Sequence, residues 1–454
     1  MKEAILIFTR IPIPGHTKTR MMPYFSEKEC AQLHICFLED IVRECQKTGR
    51  DLYVFFTPEG KQNILFPIFG KIVKYREQKG SSLGERMKNA LQEVFEDGYR
   101  ACVLIGTDIP ELRASYLENA FEKLRTQDVV LGPTPDGGYY LIGMKHLYTA
   151  AFENQTYGHE TVFENTVDAL KDKNLSIAYI PRLADMDCPE DLHGFTERYR
   201  NSLRWRKRFI SQQRGQHSEN TRRFILNHRK VSIIIPTYNE EKTIGYIQKQ
   251  LESIKDKCEI IFTDGGSTDR TLQKIKKEFK VISTEKGRGR QMNAGAKASH
   301  GDILFFLHCD SKLPSNLLEQ IRYVMKEYRV GGFGVAFASG NFFMLTCRII
   351  SNYRMKVRGI IFGDQGMFIE RKLFFEMGMF QEIPIMEDYQ FSLDLRKRGE
   401  KIGMAPNRIY TSGRRYPKGT VPKLKLMWKM YSLRKKYRRG ESVEKIAEEY
   451  RDIR

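Results

Sequence analysis

Two apolar runs in the second half of the chain end in acid: EIIFTDGGSTD, closing on Asp264 and Asp269, and DILFFLHCD, closing on Asp310. Short β-branched and aromatic runs of this kind read as buried parallel strands. An acid where such a strand stops lies at the carboxyl edge of the sheet, the edge at which open α/β sheets bind nucleotides. One acid suits a nucleobase or ribose, the other a metal-bound diphosphate. The Gly-Gly-Ser-Thr after Asp264 lets backbone approach a ligand closely. A plainer role is open to each: Asp264 and Asp269 can close a turn and cap the next helix, and Asp310 can form an Asx-turn before Pro314. KGRGRQMNAGAKA (286–298) then supplies a glycine-rich basic loop opening a helix, whose N-terminus favours anions. In it Arg288 and Arg290 suit a diphosphate and Asn293 a nucleotide. Glu387 and Asp388 open a later helix, where acids are favourable in any case.

The first half repeats the logic. The loop RIPIPGHTKTR holds Arg10, Gly15, Lys18 and Arg20 with Thr17 and Thr19 between them, a composition suited to cradling phosphate. Asp108 ends a strand as Asp310 does, and Asp185-x-Asp187 follows an extended segment. A strand-end Asp and a later Asp can share a divalent cation, Mg²⁺ or Mn²⁺, since such ions take a few carboxylates plus substrate phosphates. Asp136-Gly137-Gly138 reads as a tight hairpin turn.

The elements that must position these residues alternate in type. Strands are expected at Ala4–Phe8, Leu52–Phe56, Cys102–Ile105 and Val129–Leu131. Helices are expected from the Ser26-x-x-Glu29 capping box to about Lys47, at Leu83–Phe95 and at Tyr116–Arg125. In the second half, Val231–Ile235 is a strand stopped by Pro236, Glu240–Ile254 a helix and Glu259–Thr263 a strand. The order implies mostly parallel sheets covered by helices.

With 454 residues the chain can bury more than one core. Charge divides it. Residues 1–195 carry 23 Lys/Arg against 28 Asp/Glu, residues 196–230 carry 11 against 2, and residues 231–454 carry 42 against 26. We therefore expect a domain over 1–195, a basic linker over 196–229 and a second domain over 230–454. The basic half attracts phosphates and anionic lipid heads; no helix-turn-helix, zinc-finger or RNA-recognition motif accompanies it, so nucleic acid is not the expected partner. Eight cysteines without a C-x-x-C pair read as reduced thiols of a cytoplasmic protein. MKEAILIF enters a strand directly, so no signal peptide is expected, and no run of about 18 apolar residues occurs. The basic stretch 423–440 places Leu424, Met427, Trp428 and Tyr431 at helical spacing. Core packing is the first expectation for it, with peripheral membrane contact the alternative.

FTRIPIPGHTKTR, SSLGERM, LIGTDIPEL, GPTPDGGYYLIG and DMDCPEDL together resemble the bacterial glycosyltransferase-like family related to the nucleotidyltransferases of molybdopterin and F420 cofactor synthesis. The resemblance implies a glycosyltransferase A-type fold (Rossmann-like, as in nucleotide-diphospho-sugar transferases), with Lys18 and Arg20 near phosphate and Asp108 and Asp187 on a metal. YGHETVF (157–163) departs from the Trp-containing stretch usual there.

VSIIIPTYNEE, TDGGSTDRT, GRGRQMNAGA, FLHCDSKLP, GDQGMF, MED and SGRRY, over roughly 230–450, are similar to family 2 glycosyltransferases, in the branch associated with arsenosugar biosynthesis. That resemblance implies a second A-type domain. In it Asp264 binds the nucleoside, Asp310 the metal and Arg414 and Arg415 the diphosphate, while Asp388 is general base on the acceptor hydroxyl. The donor would be a nucleotide sugar and the acceptor a small molecule or lipid. His308-Cys309-Asp310 replaces the usual Asp-x-Asp, leaving one carboxylate. The first half is expected to transfer sugar itself, to make the donor as a nucleotidyltransferase, or to bind nucleotide as a non-catalytic regulatory module.

Overall fold

The computed structural model describes residues 2–22, 24–71, 73–192, 194–198, 218–337, 342–411 and 420–451. Its backbone divides into two compact units, Met1–Ile225 and Leu226–Arg454.

The first unit is built on β1 (Glu3–Arg10), β2 (Asp51–Thr57), β3 (Lys74–Glu77), β4 (Ala101–Ile105), β5 (Val129–Pro133), β6 (Tyr139–Met144) and β7 (Ile177–Tyr179). They lie in the order β3-β2-β1-β4-β6-β5-β7. Only β6 runs antiparallel to its neighbours, β4 and β5. Strand period explains how the sheet holds two layers together. Along β1, Ile5 and Ile7 face one apolar cluster while Ala4, Leu6 and Phe8 face the other. Each such Ile or Leu is worth roughly 1.5–3 kcal/mol when fully buried. Helix Glu27–Gln46 covers one face and opens on the expected capping box, Ser26 bonding the Glu29 amide and Glu29 reaching back. The Asp136-Gly137-Gly138 turn joins β5 to β6 as a hairpin.

Inside the stretch expected as a linker, helix Glu219–Asn227 docks on the first unit. Its Asn220 and Thr221 amides donate to the two oxygens of buried Asp40 at 3.0 and 2.8 Å, and Phe224 and Ile225 join a third apolar cluster with Met21, Phe25 and Phe37. Residues 199–217 lie outside the described residues.

The second unit contains β8 (Val231–Thr237), β9 (Glu259–Asp264), β10 (Lys280–Ser283), β11 (Ile303–Phe306), β12 (Val330–Phe337), β13 (Phe368–Glu370) and β14 (Ile402–Thr411). Their order, β10-β9-β8-β11-β13-β12-β14, reproduces the first sheet strand for strand, again with only the sixth antiparallel. Both units are thus α/β domains with mixed sheets of one topology. Pro236 was expected to stop β8, yet the strand runs on to Thr237. The reason lies next door: β11 pairs only with Val231–Ile234, so by Pro236 that side needs no ladder bond. The helix expected from Glu240 begins at Ile244. Residues 239–241 are instead spent on bracing: Asn239, Glu240 and Glu241 amides donate to Ser267, Thr271 and Asp269 side chains.

Candidate functional site

In the first unit a cleft of ≈ 920 Å³ opens at the carboxyl ends of β1 and β4. The loop after β1 is clipped by Thr17, whose hydroxyl donates to Ile11 O (2.9 Å) and accepts from the Ile13 amide (3.2 Å). Gly15 takes φ +79° to turn this loop beside Glu27, and is not among the cleft-lining residues. That φ favours glycine, which sets the turn of the loop expected to cradle phosphate. Lys18 has φ +54°, uncommon without glycine, and this aims its side chain inward. The ammonium lies 2.6 Å from Asp108 Oδ1, 2.9 Å from Asp187 Oδ1 and 2.7 Å from Met186 O.

Lys18 is only 4% exposed, whereas Asp108 and Asp187 keep 44% and 37%. Burial alone would lower the lysine pKa, but the two carboxylates outweigh it and hold it above its usual value. Burial likewise opposes ionisation of Asp108, and Lys18 overcomes it, so that carboxyl sits below its ordinary range. One hydrogen bond ties the Asp187 segment to a strand end far earlier in sequence, and two more brace it. Met186 N donates to Asp108 O (2.8 Å), and Asp191 accepts from the Asp187 and Cys188 amides at 2.8 Å each. Arg20 also lines the cleft, 3.7 Å from Asp187 Oδ2 and mostly exposed.

Sequence reading missed His34. It projects from the long helix to the cleft, with Nε2 3.1 Å from both Thr9 Oγ1 and Arg10 O. Burial, opposed by Asp108, drives its pKa down to about 4, so the ring is neutral at pH 7. A lone histidine on an amphipathic helix carries no signal of this. Asp185 also lines the cleft; burial, then Asp136 and Asp187, push its carboxyl up to about 6. The departing stretch 157–163 folds against the DGG turn: Phe163 N donates to Gly137 O (2.9 Å), and Tyr157 meets Tyr139 hydroxyl to hydroxyl at 3.2 Å.

In the second unit Asp264 does end β9, but it is 1% exposed and engaged. Its carboxylate accepts from the Gly266 and Ser267 amides (3.0 and 2.9 Å) and the Ser267 hydroxyl (2.5 Å). It shapes the turn that follows β9. Beside that turn Tyr238 presents a partly exposed ring with Lys286 Nζ 4.0 Å above it, a pair the motif reading passed over. Asn293 is corrected. Its amide both donates to Phe380 O (2.9 Å) and accepts from Phe380 N (3.0 Å) in a buried setting, so it fastens backbone. Arg290 is engaged at the surface by Glu382 (3.0 Å) and Glu285. Arg414 and Arg415 lie outside the described residues.

A second group gathers around Gly363. Its amide donates to Asp388 Oδ2 (2.7 Å), and the Tyr389 amide donates to Asp388 Oδ1 (2.7 Å). A β-carbon on Gly363 would fall 2.5 Å from His308 Nε2 and 3.6 Å from Asp388 Oδ2, so imidazole and carboxylate flank the same glycine. Asp310 follows in the turn closed by Ser311 N to His308 O. Arg288 reaches this group, Nη1 lying 3.3 Å from Glu387 Oε1. Burial opposes its charge while Glu387 and Asp388 support it and prevail. Burial pushes Glu387 above the ordinary carboxylate range despite Arg288.

No cluster of three or more metal-ligating side chains occurs among the described residues. Asp108 and Asp187, expected on a metal, instead share the Lys18 ammonium.

Comparison with known proteins follows this division. Residues 232–382 match the family described as Glycosyl transferase family 2, and residues 41–159 match one described as an uncharacterized protein conserved in bacteria (DUF2064). A dolichyl N-acetyl-alpha-D-glucosaminyl phosphate 3-beta-D-2,3-diacetamido-2,3-dideoxy-beta-D-glucuronosyltransferase of Methanococcus voltae is 29% identical over 39% of this chain and 65% of its own length. The chain thus spans just under two thirds of that relative. A 2-phospho-L-lactate guanylyltransferase of Methanosphaera stadtmanae is 25% identical over 41% of this chain and 82% of its own. A solved structure from Desulfovibrio desulfuricans G20, described as a candidate nucleotide-diphospho-sugar transferase, is 29% identical over 49% of this chain and 96% of its own, with a TM-score of 0.43. The second unit carries a family 2 glycosyltransferase domain, and the first a DUF2064 domain, a group related to the guanylyltransferase.

Proposed function

We propose that the second unit transfers a sugar from a nucleotide sugar to an acceptor hydroxyl by one inverting displacement. The observation carrying this is the anchored Asp388 carboxylate, facing His308 across Gly363 with Arg288 nearby. Asp388 lies six residues past the matched family segment, so its role rests on this geometry and on the MED motif. In the step, Asp388 takes the acceptor proton, the acceptor oxygen bonds to the anomeric carbon, and the bond from that carbon to the diphosphate oxygen breaks with its electron pair. Arg288 offsets charge at the departing diphosphate. Asp264 and Tyr238 shape the nucleoside side, and Asp310 would hold Mg²⁺ or Mn²⁺, which when bound supplies further charge stabilisation there.

For the first unit we favour nucleotidyl transfer that makes the donor, because Lys18 is clamped between Asp108 and Asp187 in a cleft suited to phosphates. Direct sugar transfer, or nucleotide binding for regulation, are the competing readings. The acceptor is a small molecule or a lipid and not a nucleic acid. The eight free thiols support a cytoplasmic setting, and the basic C-terminal helix suits a station at the inner leaflet.

Asp388→Ala and Asp108→Ala in the full chain separate the readings. Asp388→Ala should abolish transfer from a supplied nucleotide sugar and leave donor binding intact; full transfer by this variant sinks the assignment. Asp108→Ala should remove donor synthesis from nucleoside triphosphate and sugar phosphate while leaving transfer from supplied donor. If synthesis is absent in both wild type and variant, the first unit is not a nucleotidyltransferase.

A further inference from the structure

Helices Phe342–Arg358 and Thr420–Arg438 meet where Cys347 Sγ lies 3.3 Å from Met427 Sδ. Around this contact both helices leave apolar side chains in solvent. Leu424, Trp428 and Tyr431, at i, i+4 and i+7, are exposed, Trp428 by 76%. Ile350, Tyr353 and Val357, at i, i+3 and i+7, are exposed on the other helix. The opposite faces are the packed ones, with Met355 and Leu433 fully buried. The first expectation for 423–440, core packing, therefore holds for one face and fails for the one bearing Trp428.

Charge decides what covers that face. The first helix carries four Lys/Arg and the second seven, and neither carries an Asp or Glu. A second copy of the chain seated through a two-fold axis would oppose this patch to itself, cation against cation. An anionic bilayer complements it: basic stems snorkel while Trp, Tyr and aliphatic side chains enter the headgroup boundary. No described helix is long and apolar enough to cross a membrane, so the contact would be peripheral.

We propose that these two helices form a docking surface for an anionic lipid bilayer. The surface reaches the catalytic group through Phe362, whose ring takes Arg354 of one helix at 4.1 Å and Arg434 of the other at 5.6 Å. Phe362 precedes Gly363, the donor to Asp388. Docking there brings the acceptor side to the lipid surface, which favours a lipid-borne hydroxyl. The inference deepens the inner-leaflet reading, and its test uses neither donor nor acceptor, so its failure is distinct from failure of the transferase reading.

The test is co-sedimentation of the full chain with phosphatidylcholine vesicles, with and without phosphatidylglycerol. Binding is expected only with phosphatidylglycerol. It should weaken as salt rises, and fall about tenfold or more in Trp428→Glu and in Tyr353→Glu, both at solvent-facing sites. Far-UV circular dichroism checks that each variant is folded. Absence of binding to phosphatidylglycerol vesicles overturns the proposal. So does undiminished binding by both folded variants, which would mean charge adsorption elsewhere. A dimer in sedimentation velocity that these substitutions dissolve would assign the surface to a second copy instead.

Discussion

Asp388 depends on one small residue for its aim. Gly363 supplies an N–H to the carboxylate and leaves room for His308 Nε2, which a β-carbon would approach to 2.5 Å. Gly363→Ala should therefore shift the loop, with kcat for transfer falling about 100-fold, since a displacement near 1 Å costs that much. The same clash should lower the stability of the second unit by roughly 1–3 kcal/mol, while donor KM changes little; an unchanged kcat would separate Gly363 from catalysis. Titration adds a second expectation at this scale. His34, with its pKa lowered to about 4, stays neutral when folded but charges in the unfolded chain below about 6.5. It removes stability as pH falls from about 6.5 to 4. Asp185, raised to about 6, works in the opposite sense: it binds a proton in the folded state first, so it adds stability as pH falls from about 6 to 4. The two oppose each other, and the Asp40 carboxyl, raised by burial, works in the same sense as Asp185. Asp185→Asn removes the acid-side gain, so relative to wild type the variant should lose about 3 kcal/mol more between pH 6.5 and 4 in urea titrations of the full chain; an unchanged difference contradicts the raised Asp185 carboxyl. Strand-end acids such as Asp108 and Asp264 were legible from sequence, because apolar runs announce where strands stop. Their partners were not. Whether Asp264 meets ligand or Ser267, or Asn293 meets nucleotide or Phe380, depends on side-chain bonds that spacing does not encode.

At the level of elements, the strands carrying the site were legible for the same periodic reason. Short edge strands were less so: β3, Lys74–Glu77, has no continuous apolar run. Pro236 misled because a proline's cost depends on the neighbouring strand, and that neighbour lies seventy residues away. The hairpin between β5 and β6 holds a further dependence. Gly137 has φ +85°, and a β-carbon there would come within 1.8 Å of Glu160 O. Gly137→Ala should push the 157–160 segment off the cleft and destabilise the first unit by roughly 1–3 kcal/mol. Thermal unfolding measures that loss. Nucleotide titration calorimetry on the folded variant should show weaker binding in the first unit; wild-type affinity would mean the segment does not shape the pocket.

The whole molecule comprises two compact units with the same strand order. Each has its own apolar clusters on both faces of its sheet. Calorimetry should resolve two unfolding transitions. A nucleotide sugar at 100 times its Kd for the second unit should stabilise that unit by about 2.7 kcal/mol. One transition moving as a whole would make the units a single cooperative body. The matching strand order also poses a hazard during synthesis. β1 and β8 are both hydrophobic parallel strands awaiting partners on two sides, so a chain released all at once offers each the other's neighbours. Order of emergence removes much of that choice. Translation at roughly 5–20 residues per second leaves ten seconds or more to make Leu226–Arg454 after the first sheet is complete. Mixed α/β domains of modest size commonly fold within that interval. On the ribosome the two sheets compete little for strands; refolding from denaturant, where both halves are present together, is where exchanged strands should collect.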